Sequence, residues 1–420
     1  MSTQSAPSIL FTHTAPQQGF RLLELPPEVA DLLTSDHPPT FYLKTPTPTT
    51  AQPTTSSSSS SSSRPTDSRE YVNLCTPTQT YRIRQVQSSN SLHILRPSGM
   101  GGRDTVLRRE DLAIVDGDGD MDVDVDVDVD VGVDLAETVT TIAKCGSTLE
   151  LHVPEGGFRA AEFLGALVGR FAPGMSAAAA TGSAREREGE GGAGAAEDGK
   201  VMETVFTDIP VSRAECERVW VEGCAFVWRG RAWVPTPEVR MEVWKRMVDG
   251  AVVQGIDLRT QFLVDDLWKS VVVEDEDEDG QIPRALFEAI VRRVVEGEEG
   301  KSLLGEKLKW ASLDREVCVR WVGETYLEAM APMASAAVGR SEFLNAWKDH
   351  LPEAWREEVA LAKLTDAVYQ LPDPTTISFV TEFERQRSKK NLPTDASAAT
   401  AAKKSRNWHE LFKNQKRQKR

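Results

Sequence analysis

The chain has 420 residues, 40% of them apolar and including ten Trp and fourteen Phe, enough material for two to four compact units. A formal net charge of −15 excludes a surface that coats nucleic acid along its whole length. The sequence offers no apolar run long enough to span a membrane, and residues 1–10 lack the basic and apolar regions of a secretory signal. Its cysteines, Cys75, Cys145, Cys216, Cys224 and Cys318, are odd in number and scattered, which reads as reduced thiols of a cytosolic or nuclear protein. Charge is unevenly spread: from Arg385 to Arg420 twelve Lys/Arg face two acids, a net of +10, so the remainder carries −25. Nine Asp between Asp116 and Asp134 and six consecutive acids from Glu274 to Asp279 supply much of that deficit.

In chain order, Thr45–Arg64 is Thr/Pro followed by a Ser run with almost no apolar surface to offset ordering. The strand-like segments nearby are Phe41–Leu43, Tyr71–Cys75, Thr80–Val86 and Ser91–Leu95, short, β-branched or aromatic, and separated by Pro, Ser and Asn. Asp116–Asp134 alternates Asp with Val; as a strand it would stack carboxylates on one face, so it reads as a solvated loop. Thr148–Val153 is a further strand, and Phe158–Phe171 reads as one helix with Phe163, Leu164, Leu167 and Val168 on a stripe. Pro173–Lys200, rich in Ala, Gly and Glu, reads as a linker. Beyond it, Ser212-x-x-Glu215 is a capping box, Arg229-Gly230 is a two-residue hairpin turn between Ala225–Trp228 and Arg231–Pro235, and Pro237 opens a helix. Pro283 opens another, Leu303–Trp310 reads as a short helix, and Leu313, Val317 and Trp321 stripe a third. Ser341 is a candidate N-cap for a helix carrying Phe343, Leu344 and Trp347, followed by one with Trp355, Val359 and Ala362 and by a strand at Thr376–Val380.

The fold class this predicts is α+β: an N-terminal partial β-barrel followed by tandem winged-helix domains. The expected boundaries are a barrel-like assembly domain over 1–172 with inserts at 45–70 and 116–135, a linker over 173–200, winged helices over 201–265, 266–335 and 336–384, and a basic tail over 385–420.

Motifs for chemistry are weak. Gly194–Lys200 has phosphate-loop spacing, but Val201 stands where Ser or Thr would hold magnesium and two acids sit where phosphate would approach. Asp116-x-Asp118-x-Asp120 begins like a calcium loop, but Met121 replaces the turn Gly and Val127 the bidentate Glu. The cysteines and six histidines show no metal spacing. The expectation is therefore no catalytic site, no metal and no cofactor. The basic tail is the more informative feature: Lys389, Lys390, Lys403 and Lys404 form clusters that importins or phosphates bind. Asn407-x-x-Glu410 would cap a short helix with Trp408, Leu411 and Phe412 on one face, and so short a helix is marginal without something to dock on.

Several stretches together carry a family resemblance. Tyr81–Leu95 (YRIRQVQSSNSLHIL), with Phe20–Leu25 and Phe41–Lys44 upstream, resembles the N-terminal half of the "defective in sister chromatid cohesion" subunit of the alternative replication factor C clamp loader. Val211–Arg218 with Ala232–Val234 is similar to its first winged-helix region, and Glu342–Trp355 to a late Phe-x-x-x-Trp and Pro-Glu-Gly motif, in which Ala354 here replaces Gly. Lys404–Phe412 is similar to a tail of fungal members.

The resemblance implies a nuclear, non-catalytic subunit. Its N-terminal barrel would assemble with the large and small subunits of the alternative clamp loader. Its winged helices would reach the leading-strand polymerase catalytic region and DNA, and it would touch the sliding clamp only indirectly, while supporting loading or unloading of the clamp and sister chromatid cohesion. No membrane partner is expected. The candidate assembly edge is Tyr81, Ile83, Val86, Asn90, Leu92 and Leu95; the candidate DNA- or polymerase-facing cations are Arg229, Arg231, Arg292 and Arg293. The main rival is a free-standing winged-helix DNA-binding regulator, and a more distant one is an enzyme using Cys216 or Cys318.

Overall fold

The computed structural model describes residues 11–13, 16–46, 71–97, 139–174, 193–272, 282–297, 304, 308–381 and 384–385. The Ser-rich insert beyond Pro46, the Asp-Val insert and the tail residues Lys389, Lys390, Lys403, Lys404, Trp408, Leu411 and Phe412 lie outside these residues. The chain divides into two compact units, one of Met1–Leu43, Ser59–Leu74 and Tyr81–Val153, the other of Lys44–Ser58, Cys75–Thr80 and Pro154–Arg420.

The first unit is built on one mixed sheet. Its elements are β1 (Phe11–His13), β2 (Leu22–Glu24), α1 (Pro27–Thr34), β3 (Tyr42–Lys44), β4 (Asn73–Cys75), β5 (Thr80–Pro97) and β6 (Val139–His152), of which the end residues Lys44, Cys75 and Thr80 belong to the second unit. The strand order is β1-β6-β5-β4-β3, with β2 also on β6. β1 and β2 run parallel to successive stretches of β6, at Val139–Thr141 and Thr148–Glu150, and the long β5–β6 pair is antiparallel. Among the described residues the order does not return on itself, so the sheet is open rather than a closed barrel. Pro27 starts α1 in the turn where its missing N–H costs nothing, and fully buried Val29 packs with Leu74 and Tyr81 as the core. Arg84 and Glu150 are register partners and form a 2.8 Å ion pair across the strands.

β5 corrects the expectation of two strands joined by a Ser-Asn turn. It is one element of 18 residues, and the Ser-Ser-Asn-Ser stretch is a register irregularity: Gln87 pairs Ser147 while Leu92 pairs Cys145, leaving residues 88–91 opposite Gly146 alone. Turn-forming residues satisfy an insertion within a ladder as readily as a chain reversal.

In the second unit the same order of elements recurs three times. The first pass is α2 (Ala160–Leu167), β7 (Gly169–Phe171), α3 (Ala193–Asp208), α4 (Arg213–Glu222), β8 (Phe226–Trp228) and β9 (Arg231–Pro235). The second is α5 (Pro237–Gln254), β10 (Phe262–Leu263), α6 (Val264–Val271), α7 (Arg284–Val294), an extended Val295 and β11 (Trp310–Ala311). The third is α8 (Arg315–Met330), β12 (Val338–Gly339), α9 (Arg340–Asp349), a 3-10 turn at Glu353–Glu358, β13 (Tyr369–Gln370) and β14 (Thr376–Phe379). Each time the strand after the first helix pairs with the last strand: β7 with β9, β10 with β11, β12 with β14. The β7–β9 pair is parallel, the other two antiparallel.

Local chemistry explains the elements. The Ser212–Glu215 capping box forms as predicted, Pro237 lies in the first turn of α5 and Gly255 closes that helix at φ 66°, and Asp314 caps α8 by accepting from Val317 N at 2.9 Å. Phe158–Phe171 is not one helix. It ends at Leu167 because Gly169 lies against the Trp233 ring, where a Cβ would sit 2.5 Å from the indole. Phe171 then meets Phe226, Trp228 and Trp233 edge-on at 5.5, 5.6 and 6.3 Å. The expected linker over 173–200 is helical from Ala193, and the helix expected up to Trp310 gives way to strand at Trp310–Ala311. The helix expected around Trp355 is a pair of 3-10 turns. A continuous core runs from Phe171 to Ile377, with Trp244 and Trp347 fully buried and their indoles donating to His350 O (2.8 Å) and Val319 O (2.9 Å).

Candidate interaction surfaces

The first candidate surface is the rim of the open sheet. β3 ends the order on one side, so among the described residues one row of its N–H and C=O groups has no strand beside it. Successive residues of a strand point to opposite faces, and Tyr42 (58%) and Leu43 (67%) are both exposed, one on each face, while the next residue, Lys44, is half-buried. Aromatic and leucine side chains left in water at a sheet edge mark a surface made for another strand.

The residues chosen from sequence fall mostly elsewhere. The first part of β5 lies between β6 and β4, so Tyr81 and Ile83 are not at an edge. Tyr81 is buried in the core and Ile83 packs on it; Val86 pairs Thr148 and is half-buried, while Asn90 sits in the register irregularity and is exposed. Past that irregularity β6 is the one partner strand among the described residues, so Leu92 and Leu95, nearly half exposed, stand on an open edge. The period-2 pattern that selected Tyr81–Leu95 is that of a strand with a buried face. Such a pattern does not distinguish a central strand from a rim, whereas the exposed pair on three-residue β3 is too short to give any period.

The second candidate surface is the β8–β9 hairpin of the second unit. Arg229 (φ 51°) and Gly230 (φ 71°) are both left-handed, the two-residue turn that matches strand twist. Arg229 and Arg231 are exposed, and their guanidinium carbons stack 4.8 Å above the Trp228 ring and 5.1 Å above the Trp233 ring. Trp233 Nε1 donates to Trp228 O at 3.2 Å, holding the two rings. This is a small, rigid cationic tip suited to phosphate or carboxylate.

Arg292 and Arg293 are not on a comparable face. α7 packs against α4, β8 and α8, and its apolar positions Leu286, Phe287, Ala289, Ile290, Val291 and Val294 are all buried, leaving a narrow polar strip. Arg292 is ion-paired to Glu288 at 3.2 Å with both side chains 17% exposed, and Glu288 also pairs Arg284 at 3.0 Å. Arg293 is likewise half-buried.

A polar seam that sequence reasoning missed also lies in the second unit. Lys44 Nζ donates to Phe206 O (2.8 Å), Ile209 O (3.1 Å) and Val211 O (3.0 Å), closing the C-terminal end of α3 with a cation. Thr80 accepts from Ser212 N at 2.7 Å and donates to the Glu215 carboxylate, extending the capping box. Nothing local in Lys44 or Thr80 signals partners more than a hundred residues away. The thiols nearby are held protonated: burial pushes Cys216 up to about 12, raises Cys75, and pushes Cys224 to about 11 and Cys318 higher still. Fully buried thiols so shifted are not nucleophiles. Among the described residues no cluster of three or more His, Cys, Asp or Glu could hold a metal, and no helix is long and apolar enough to cross a membrane.

An open sheet rim and an exposed cationic hairpin are the two surfaces that the described residues offer to a partner. The family model for sister chromatid cohesion protein Dcc1 matches residues 20–398. The chain belongs to the Dcc1 family. Its role is therefore in sister chromatid cohesion. A comparison with curated proteins found no match. The Dcc1 match spans the sheet from β2 onward and all three passes of the second unit.

Proposed function

We propose that this Dcc1-family protein is a nuclear, non-catalytic subunit of the alternative clamp loader that helps load or unload the sliding clamp. In this reading the open sheet of the first unit takes up strands from the loader's large and small subunits. The three helix–strand passes are winged helices, spanning 160–235, 237–313 and 315–379, each one helix earlier in phase than the boundaries expected from sequence. They bridge to the leading-strand polymerase catalytic region and DNA. The observation that carries the proposal is β3, a terminal strand exposed on both faces at Tyr42 and Leu43. A sheet completed by a partner gains main-chain bonds along the rim and covers those side chains, about 1.5–3 kcal/mol for each one fully buried.

Arg229 and Arg231 are the cations we assign to DNA or polymerase. Arg292 and Arg293 serve this role less well because protein already covers them, and the basic tail supplies further phosphate contact. The test is co-expression of the full chain with the loader's large and small subunits, comparing the parent with Leu43→Lys. The parent should co-purify in stoichiometric amounts and L43K should lose at least ten-fold in recovery, with its own melting unchanged because Leu43 is exposed. Equal recovery of both would refute the role of this rim.

A further inference from the structure

The most exposed large apolar side chains in the second unit are Val252 and Val253, at 77% and 81%. They stand on the last turn of α5, beside a cleft of about 430 Å³ lined by Val248, Val252, Ile256, Leu258, Pro352 and Ala354. That volume lies in the range of pockets that hold aromatic groups. The surroundings are electronegative. The carbonyl end of α5 points there with its partial negative charge. Glu353 on the rim is exposed, as is Asp249 nearer the middle of α5 with Lys245 one turn before it, and neither acid makes an ion pair among the described residues. Arg259, the one cation of the lining, is already bound in bidentate fashion by Asp257 at 2.8 and 2.8 Å.

An apolar cleft with an acidic rim selects an aromatic segment flanked by cations, and the sequence contains one. Lys403, Lys404 and Arg406 precede Trp408, Leu411 and Phe412, and Lys413 follows. We propose that the cleft between the end of α5 and the Pro352–Ala354 turn receives the chain's own Trp408–Phe412 segment in cis. The tether reaches: Arg385 and Trp408 are 23 residues apart, up to about 75 Å when extended, against a radius of gyration of about 17 Å for a compact unit of roughly 220 residues. Tethering also supplies the occupancy. At an effective concentration on the order of 1 mM, a segment that binds in trans at only ~0.1 mM is docked about nine-tenths of the time. The clamp-loader reading neither requires this contact nor is required by it.

Two measurements on the full-length chain test the proposal. In hydrogen exchange, amides of residues 255–259 should exchange at least five-fold more slowly in the parent than in the Trp408→Ala/Phe412→Ala double variant, equally at two protein concentrations ten-fold apart. A fluorescent peptide of residues 403–414, titrated into the double variant, should bind saturably and at least ten-fold more weakly when Val252→Lys is added. Val252 is exposed, so V252K leaves folding intact. Identical exchange in parent and double variant would overturn the proposal. So would protection that grows with protein concentration, which would mean a second copy supplies the segment. Peptide binding that survives V252K but disappears when the acids from Glu274 to Asp279 are neutralised would place the segment on that acidic block instead and overturn it too.

Discussion

Gly323 sits in α8 where the helix lies flat against the Trp347 indole: a Cβ at this position would come 2.4 Å from Cε2 and 2.5 Å from Cζ2. Gly323→Ala therefore sets two effects against each other. Alanine favours a helix over glycine by about 1 kcal/mol. The added carbon must displace a ring that is fully buried and whose Nε1 donates to Val319 O at 2.9 Å. Overpacking costs about 1–3 kcal/mol, and a weakened buried hydrogen bond about 1 kcal/mol more, so the clash wins by about 2 kcal/mol. Gly165 in α2 is the control, because nothing lies within 4 Å of its Cβ position, and Gly165→Ala should gain up to about 1 kcal/mol. At about 2–4 °C per kcal/mol for a unit of this size, G323A should melt about 4–8 °C below the parent and G165A about 2–4 °C above it. A G323A protein that melts with or above the parent would refute the packing described for Trp347.

Lys44→Met should destabilise the second unit by about 2–4 kcal/mol, read as a shift in urea midpoint, since three carbonyls lose their cation together; a change under 0.5 kcal/mol would show that water replaces it. The thiol shifts fix an alkaline limit. Cys216 and Cys224 have folded-state values of about 12 and about 11, above the unfolded value near 8.5. Their contribution to stability is thus whole below pH about 8.5 and is lost as pH rises toward 11–12. The urea midpoint should fall between pH 8 and 10, less steeply in Cys216→Ala, and Cys216, Cys224 and Cys318 should resist a thiol reagent until the chain is denatured. Arg229→Ala with Arg231→Ala should lower the slope of log affinity for duplex DNA against log salt by about 1–2; an unchanged slope would remove the hairpin from the DNA surface.

The signals that were legible in the sequence act within a few residues. Ser212 and Glu215, Arg229-Gly230, Pro237 and Pro283 all shape the backbone through their own torsions or a cap, and they stand where the sequence puts them, as does the strand from Thr376. What escaped depends on distant partners. The first half of β6, Val139–Lys144, becomes strand by pairing with His93–Pro97 and β1. Gly169–Phe171 looks helical until Trp233 occupies the space beside it. α3 begins in Ala/Gly/Glu-rich sequence that also fits a linker. The threefold recurrence in the second unit was invisible as a repeat because its passes share element order but not residues, and a 3-10 turn replaces a helix in the third. At the surfaces the hairpin cations were legible from turn chemistry, whereas the exposed rim at Tyr42 and Leu43 was decided by what does not cover it.

Lys44 has a further consequence during synthesis. Its three acceptors lie 162, 165 and 167 residues downstream, so at about 5–20 residues per second the ribosome needs roughly 8–30 s to produce them after the lysine emerges. Throughout that interval the ammonium stays hydrated, and the Lys44 and Cys75–Thr80 segments of the second unit wait for residues made much later. The contacts that seat Lys44 and the Cys75–Thr80 segment in the second unit therefore cannot close until translation has passed Val211.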